Sequence, residues 1–183
     1  MTDRESEDME YLYCGGSFCF DCRSEDYEEK AAEDYRSSVL GDPRLLLRNG
    51  GSVLLNGAVT YIGPFYFETE DMADRDIVRT EMRQIERCTW AVFLLDDCRC
   101  PGTVAEMVRA ASLRKKISIY YIRDDRETES ELRSSCWYPI LLCEELNGGR
   151  VETAACRDHG DAKRRILARI GEAAVSDTED TLP

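Results

Sequence analysis

Histidine is nearly absent from this chain: His159 is the single imidazole among 183 residues. A histidine-based catalytic triad would have to use it, and it lies in a polar stretch where it reads as a solvated helix-start residue. Positive charge is also short, with 24 Lys and Arg against 37 Asp and Glu and a net charge of -13. That imbalance excludes nucleic acid and anionic membranes as partners for the body of the protein, and leaves open a local basic pocket for a phosphate. Long apolar runs are missing: WAVFLLD and ISIYYI are far too short to span a bilayer. Regular cysteine spacing is missing too. The nine cysteines are odd in number, and Cys19 and Cys22 form a lone CxxC with no second pair at zinc spacing. They read as thiols in a reducing compartment, with no metal expected, and Cys98 and Cys100 are the two placed near candidate chemistry. The opening MTDRESEDME is acidic and polar, unlike a secretory signal or transit peptide, so a cytoplasmic protein is expected.

What remains is an alternation of apolar and amphipathic segments. Residues 1–9 read as a disordered acidic tail, 10–174 as one domain, and 175–183 as a polar tail. A first strand is predicted at 11–17, running into a glycine turn, and a helix at 24–39, stopped by Gly41 and Pro43. Residues 44–57 fit both a short helical turn and a β-excursion. Strands follow at 59–67 (broken by Gly63-Pro64), 91–95 and 117–122, with 139–143 read as the fifth strand of the sheet and 151–155 as another short one. Helices are predicted at 74–88, 103–113 and 161–174. Ile77, Met82, Ile85 and Cys88 make the expected buried stripe of the helix at 74–88. The alternation implies an α/β fold, a doubly wound, mainly parallel five-stranded sheet with helices on both faces.

The run WAVFLLDDCRCPGTVAEM, Trp90 to Met107, carries most of the chemistry. An apolar strand ends in Asp96 and Asp97, and a turn leads into a helix bearing Glu106. Open α/β sheets bind ligands at such carboxyl ends. A helix glutamate is ordinarily solvated. Here Gly102 and Thr103 admit a ligand close to the backbone, and Glu106 is placed to act as nucleophile or general base. Asp96 and Asp97 are ordinary strand-end residues or a pair that raises its own pKa. Gly15 and Gly16 supply a tight turn that brings backbone amides to the same crevice, though not as a GxGxxG motif.

With LYCGGSF, YIGPF, RDIVRTEM and PGTVAEM, the chain resembles the nucleoside 2-deoxyribosyltransferase family over about Tyr11 to Leu142. The resemblance implies a flavodoxin-like sheet, no cofactor, and Glu106 as the nucleophile. It further implies that Tyr13 positions this nucleophile and that Asp76 helps hold the nucleoside. Many members carry an aspartate six residues before the nucleophile, engaging the base; here that position is Cys100, and Asp97 is the candidate to cover its role. The helix continues MVRAASL, where the family often has Gly-Tyr-Ala. Homodimers or higher homo-oligomers are implied, with Trp137 and Tyr138 as candidate contacts.

Three functions follow as expectations. The first is transfer of a deoxyribosyl group from a nucleoside to a free nucleobase. The second is hydrolysis of a deoxynucleoside monophosphate or NAD, with Arg23, Arg79 or Arg109 meeting the phosphate. The third is a non-catalytic nucleotide-binding or sensing module.

Overall fold

The computed structural model describes residues 9–16, 26–48, 50–66, 73–95, 100–122 and 137–179, with side chains described up to 173. In chain order these form β1 (Glu10–Gly16), α1 (Tyr27–Glu33), α2 (Tyr35–Leu40), α3 (Pro43–Leu46), β2 (Val53–Leu54), β3 (Val59–Gly63), α4 (Asp74–Arg87), β4 (Trp90–Leu95), α5 (Pro101–Ser112), β5 (Lys116–Ile122), α6 (Trp137–Asn147), β6 (Val151–Cys156) and α7 (His159–Glu179). The sheet has six strands in the order β2-β3-β1-β4-β5-β6. Only β2 is antiparallel to its neighbour.

Without that short edge strand, the five parallel strands read 2-1-3-4-5 in chain order, which is the flavodoxin-like doubly wound arrangement. The expected fold class stands, with six strands in place of five. The ambiguous 44–57 segment supplies both readings, a one-turn helix (α3) and the excursion β2.

Strand alternation assigns each side chain to a face. Leu12, Cys14, Trp90, Val92, Leu94 and Tyr120 pack under α1, α2 and α7. Tyr13, Ala91, Phe93, Leu95, Ile117 and Ile119 pack against residues of α4, α5 and α6. β4 is buried along its whole length, as a central parallel strand covered on both faces must be. Each buried Leu, Ile, Val or Phe contributes about 1.5–3 kcal/mol.

Three sequence expectations are corrected. The strand expected at 139–143 is part of the helix α6. Pro139 falls in its first turn, where the missing N–H costs nothing, and the run WYPILLCEELN is too long for a strand of this sheet. The helix expected at 24–39 is two helices. Asp34 takes an extended conformation between them, and its carboxylate accepts from the Arg36 backbone N–H, capping α2. α7 continues to Glu179, past the expected end at 174. Residues 1–8 of the expected tail 1–9, Asp96 to Arg99, Ser17, Cys19, Cys22, Arg23 and residues 123–136 lie outside the described residues.

Candidate active site

The site begins at the end of β1. This strand lies between β3 and β4, and its two flanking crossovers run over opposite faces, so a crevice opens at its carboxyl end. Gly15 stands beside Phe93 in the β1–β4 register. A Cβ on Gly15 would drive into the Phe93 ring and lie 2.9 Å from Glu106 Oε2. Only hydrogen leaves room there for the carboxyl. Gly16 adds a backbone requirement, with φ +152° and the Leu94 carbonyl 3.0 Å from where a Cβ would be.

The turn is held from the α2 side. The Tyr35 hydroxyl donates to the Gly15 carbonyl at 2.7 Å. Arg36 donates to the Gly16 carbonyl at 3.1 Å and makes a bidentate pair with Asp34, at 2.8 and 2.6 Å. Burial works against the Arg36 charge, and the Asp34 carboxylate outweighs it, holding the guanidinium protonated. Both partners are almost fully buried. Removing either would strand the other's charge, at a cost of about 3–5 kcal/mol.

Glu106 comes from the other side. α5 starts at Pro101, two residues earlier than expected, so Glu106 lies in its second turn rather than its first. Thr103, Glu106, Met107, Ala110 and Ala111 form the buried stripe of α5, and Glu106 is the one carboxylate among them. Helical side chains tilt toward the N-terminus, which carries this carboxyl up toward the carboxyl edge of the sheet. Burial, then the charge of Glu81 on α4, push its pKa up to about 8; the Tyr13 hydroxyl and Arg36 act against the rise.

Tyr13 is fully buried on β1, and its hydroxyl has no hydrogen-bond partner in proper geometry. It faces Glu106 closely enough to favour the carboxylate, short of an aligned hydrogen bond. Burial and the neighbouring carboxylates of Glu106 and Glu81 push its own pKa well above the ordinary value, so it stays a neutral donor. A buried hydroxyl without a partner is costly, about 1–3 kcal/mol, and such groups collect where a ligand or water completes them.

The other expected site residues fall as follows. Thr103 is buried on the first turn of α5. Gly102 is exposed with open space over it, so a side chain there meets nothing. Cys100 stands at the N-cap of α5 without a side-chain capping bond, half-buried and not in a disulfide. Asp76 lies in the first turn of α4, exposed and paired with Arg79 at 3.0 Å. Arg109 pairs with Glu86 of α4. It borders a groove along α5 lined also by Val104, Val108 and Pro139. Asp96 and Asp97 lie outside the described residues. The structure thus brings together Glu106, Tyr13 and Gly15, with Gly16 beside them; Asp76 is engaged elsewhere by its own ion pair.

The chain resembles several solved structures at low sequence identity. A CMP N-glycosidase of Clostridium botulinum, BcmB, aligns with 87% of this chain and 98% of its own, at 11% identity and a TM-score of 0.47. Translation elongation factor SelB of Methanococcus maripaludis, in complex with a GTP analogue, aligns over 91% of this chain and 34% of its own, at 11% identity and a TM-score of 0.50. A probable GTP-binding protein, engB, aligns over 91% and 99%, at 13% identity and a TM-score of 0.48. No protein-family model matches the chain, and no curated protein matches it. The likeness to SelB supports the α/β fold and nothing finer.

Sequence reasoning missed Glu81, Gln84, Asp34, Arg36 and Tyr35. The first two had a signal. Glu81 and Gln84 share the helical face of Ile77, Ile85 and Cys88, so they interrupt an inward stripe with polar groups. Among the described residues no group of three or more His, Cys, Asp or Glu could hold a metal ion. No described helix is long and apolar enough to cross a membrane. The described cysteines Cys14, Cys88, Cys143 and Cys156 are buried, and burial holds their thiols neutral, Cys88 at about 12 and Cys143 at about 11.

Proposed function

We propose that the protein cleaves the N-glycosidic bond of a 2′-deoxynucleoside with Glu106 as nucleophile and transfers the deoxyribosyl group to a second nucleobase. The observation that carries this reading is a buried carboxyl at the carboxyl edge of β1 and β4, pressed against a glycine and faced by an unpartnered tyrosine hydroxyl.

Cleavage of the bond develops positive charge on the sugar, as in a retaining glycosidase. The Glu106 carboxylate stabilises that charge and then bonds to C1′ as an ester while the base departs. The departing base takes a proton from a nearby acid, for which Asp97 is the candidate. A second base attacks C1′ from the vacated side, gives its N–H proton back to the group that protonated the first base, and releases the Glu106 carboxylate, which completes the exchange. Tyr13, whose hydroxyl favours the carboxylate, is the group that would close a hydrogen bond onto Glu106 when substrate binds. Gly15, Gly16, Gly102, Thr103, Asp96 and Cys100 are assigned to the substrate crevice, and Asp76 joins them only by releasing Arg79. No cofactor takes part in any step.

A nucleoside is favoured over a nucleotide because Arg79 and Arg109, two of the cations proposed for a phosphate, are already paired with Asp76 and Glu86. Hydrolysis is the second reading, favoured by Cys100: a thiol stands where a carboxyl would engage the incoming base. Copies of the chain are proposed to associate through α6, where Trp137, Tyr138 and Leu141 are exposed. Light scattering of the wild type and of a Trp137→Ser, Tyr138→Ser variant tests this: a dimer or larger species for the first and a monomer for the second are expected, and equal masses overturn it.

The function is tested by mixing the protein with deoxynucleosides and a free acceptor base, then separating products by chromatography. A new deoxynucleoside that disappears with Glu106→Ala is expected. Free base without exchange would move the assignment to hydrolysis, and no turnover of any nucleoside, nucleotide or NAD would move it to a binding module.

A further inference from the structure

α4 carries two polar side chains on its inward face. Ile77, Glu81, Gln84, Ile85 and Cys88 share that face, which packs on β1 and β3 and meets α5. Gln84 is buried, and its amide lies directly over Gly63, its oxygen without a partner. Gly63 is the register partner of Tyr13. Gln84 therefore marks the level of Tyr13 in the sheet.

Glu81 stands one turn nearer the carboxyl edge, about 4.5 Å up the helix. Gly15, against which the Glu106 carboxyl lies, stands two residues up β1 from Tyr13, about 6.6 Å in the same direction. Glu81 thus stands on α4 near the level of Gly15, against which the Glu106 carboxyl lies, and the charges of both carboxyls reach Tyr13. Glu81 is half-buried and Glu106 buried, so the water that screens a surface pair is largely missing.

We propose that Glu81 and Glu106 form one interacting carboxyl pair, in which Glu81 carries the charge in the free protein and reinforces the burial that holds the proton on Glu106. Glu81 is then a positioning residue: it raises further the pH at which the nucleophile becomes available. Its catalytic meaning rests on the reading of Glu106 given above, whereas the pair itself does not. Among the described residues, the groups that face Glu106 are Tyr13 from β1, Arg36 from α2 and Glu81 from α4, with apolar Phe93 packed beside Gly15 from β4. Burial raises the pKa of both carboxyls, and Arg36 favours the charged form of each. Glu81 is the less buried, so it ionises first and leaves the proton on Glu106.

The test follows the carboxyl carbons of 13C-labelled glutamates by NMR against pH, which needs no turnover. Loss of one resonance in Glu106→Gln assigns the nucleophile. In the wild type, the Glu106 resonance is expected to titrate near 8 and to show a second, smaller inflection where Glu81 ionises. In the neutral isostere Glu81→Gln the Glu106 midpoint is expected to fall by about one unit and to lose that inflection. Glu81→Asp, which keeps the charge, should retain the high midpoint. A single unperturbed inflection for Glu106 in the wild type, or the same midpoint in Glu81→Gln as in the wild type, overturns the pair. Either result stands whether or not the protein transfers deoxyribose.

Discussion

A side chain on Gly15 would occupy the space of the Glu106 carboxyl: the missing Cβ lies 2.9 Å from Oε2. β1 and α5 are thus fitted to one another at the candidate nucleophile. Gly15→Ala is expected to displace both Phe93 and Glu106, costing about 1–3 kcal/mol of stability. The loss of activity should be larger than the loss of stability explains, because the carboxyl moves from its place. Thermal melts alongside turnover at a temperature where both proteins are folded check this. Unchanged turnover in a destabilised variant would contradict the fit.

The Tyr13 hydroxyl gives a sharper separation of stability from function. It is buried and unpartnered, so Tyr13→Phe removes a buried polar group and no formed hydrogen bond. The variant is expected to be as stable as the wild type or more stable by about 1 kcal/mol. It is expected to lose about ten- to a hundredfold in kcat, since the donor facing Glu106 is gone. The Glu106 midpoint should also rise, because the hydroxyl favours the carboxylate. Denaturant melts and a pH profile on the same sample decide it.

Glu106 links stability to pH in a definite direction. The folded protein holds its proton to about 8, against an ordinary value of 4.5. Between those pH values the folded state binds more protons than the unfolded chain, so this group favours folding fully below 4.5 and loses that contribution as pH rises toward 8. Glu106→Gln removes the titration. It is expected to stabilise the protein by about 2–4 kcal/mol at pH 8 and by little at pH 4.5. Turnover of the wild type should rise with pH through the same region, as the nucleophilic carboxylate forms. Equal pH slopes for both proteins in urea melts would contradict the buried state of Glu106.

The fold was legible where a single period dominated. The apolar runs of β4 and β5 and the turn that opens α5 place those elements within a residue or two of their observed ends. Trp137 to Asn147 was not, because an apolar run with a proline fits a strand as well as a helix until the length of the whole segment is weighed. Asp34 broke a helix by capping the next one, a local bond that periodicity does not register. Within the site, Glu106 and Gly15 follow from the strand-turn-helix pattern, and Tyr13 from the family resemblance alone. Arg36 and Tyr35 do not, because only the folded chain brings α2 against the end of β1. Asp76 shows the reverse case: it lies in the predicted first turn of α4, yet its nearest commitment is an exposed ion pair with Arg79.

The most direct measurement is to trap the sugar on the protein. A deoxynucleoside analogue with fluorine at C2 of the sugar slows formation and breakdown of the ester by destabilising positive charge on the ring. After incubation, the intact protein is weighed by mass spectrometry and its peptides are mapped. One fluorosugar per chain, attached at Glu106 and absent in Glu106→Gln, is the expected result. Turnover of deoxynucleosides with no adduct, or an adduct on a different side chain, would contradict Glu106 as the nucleophile.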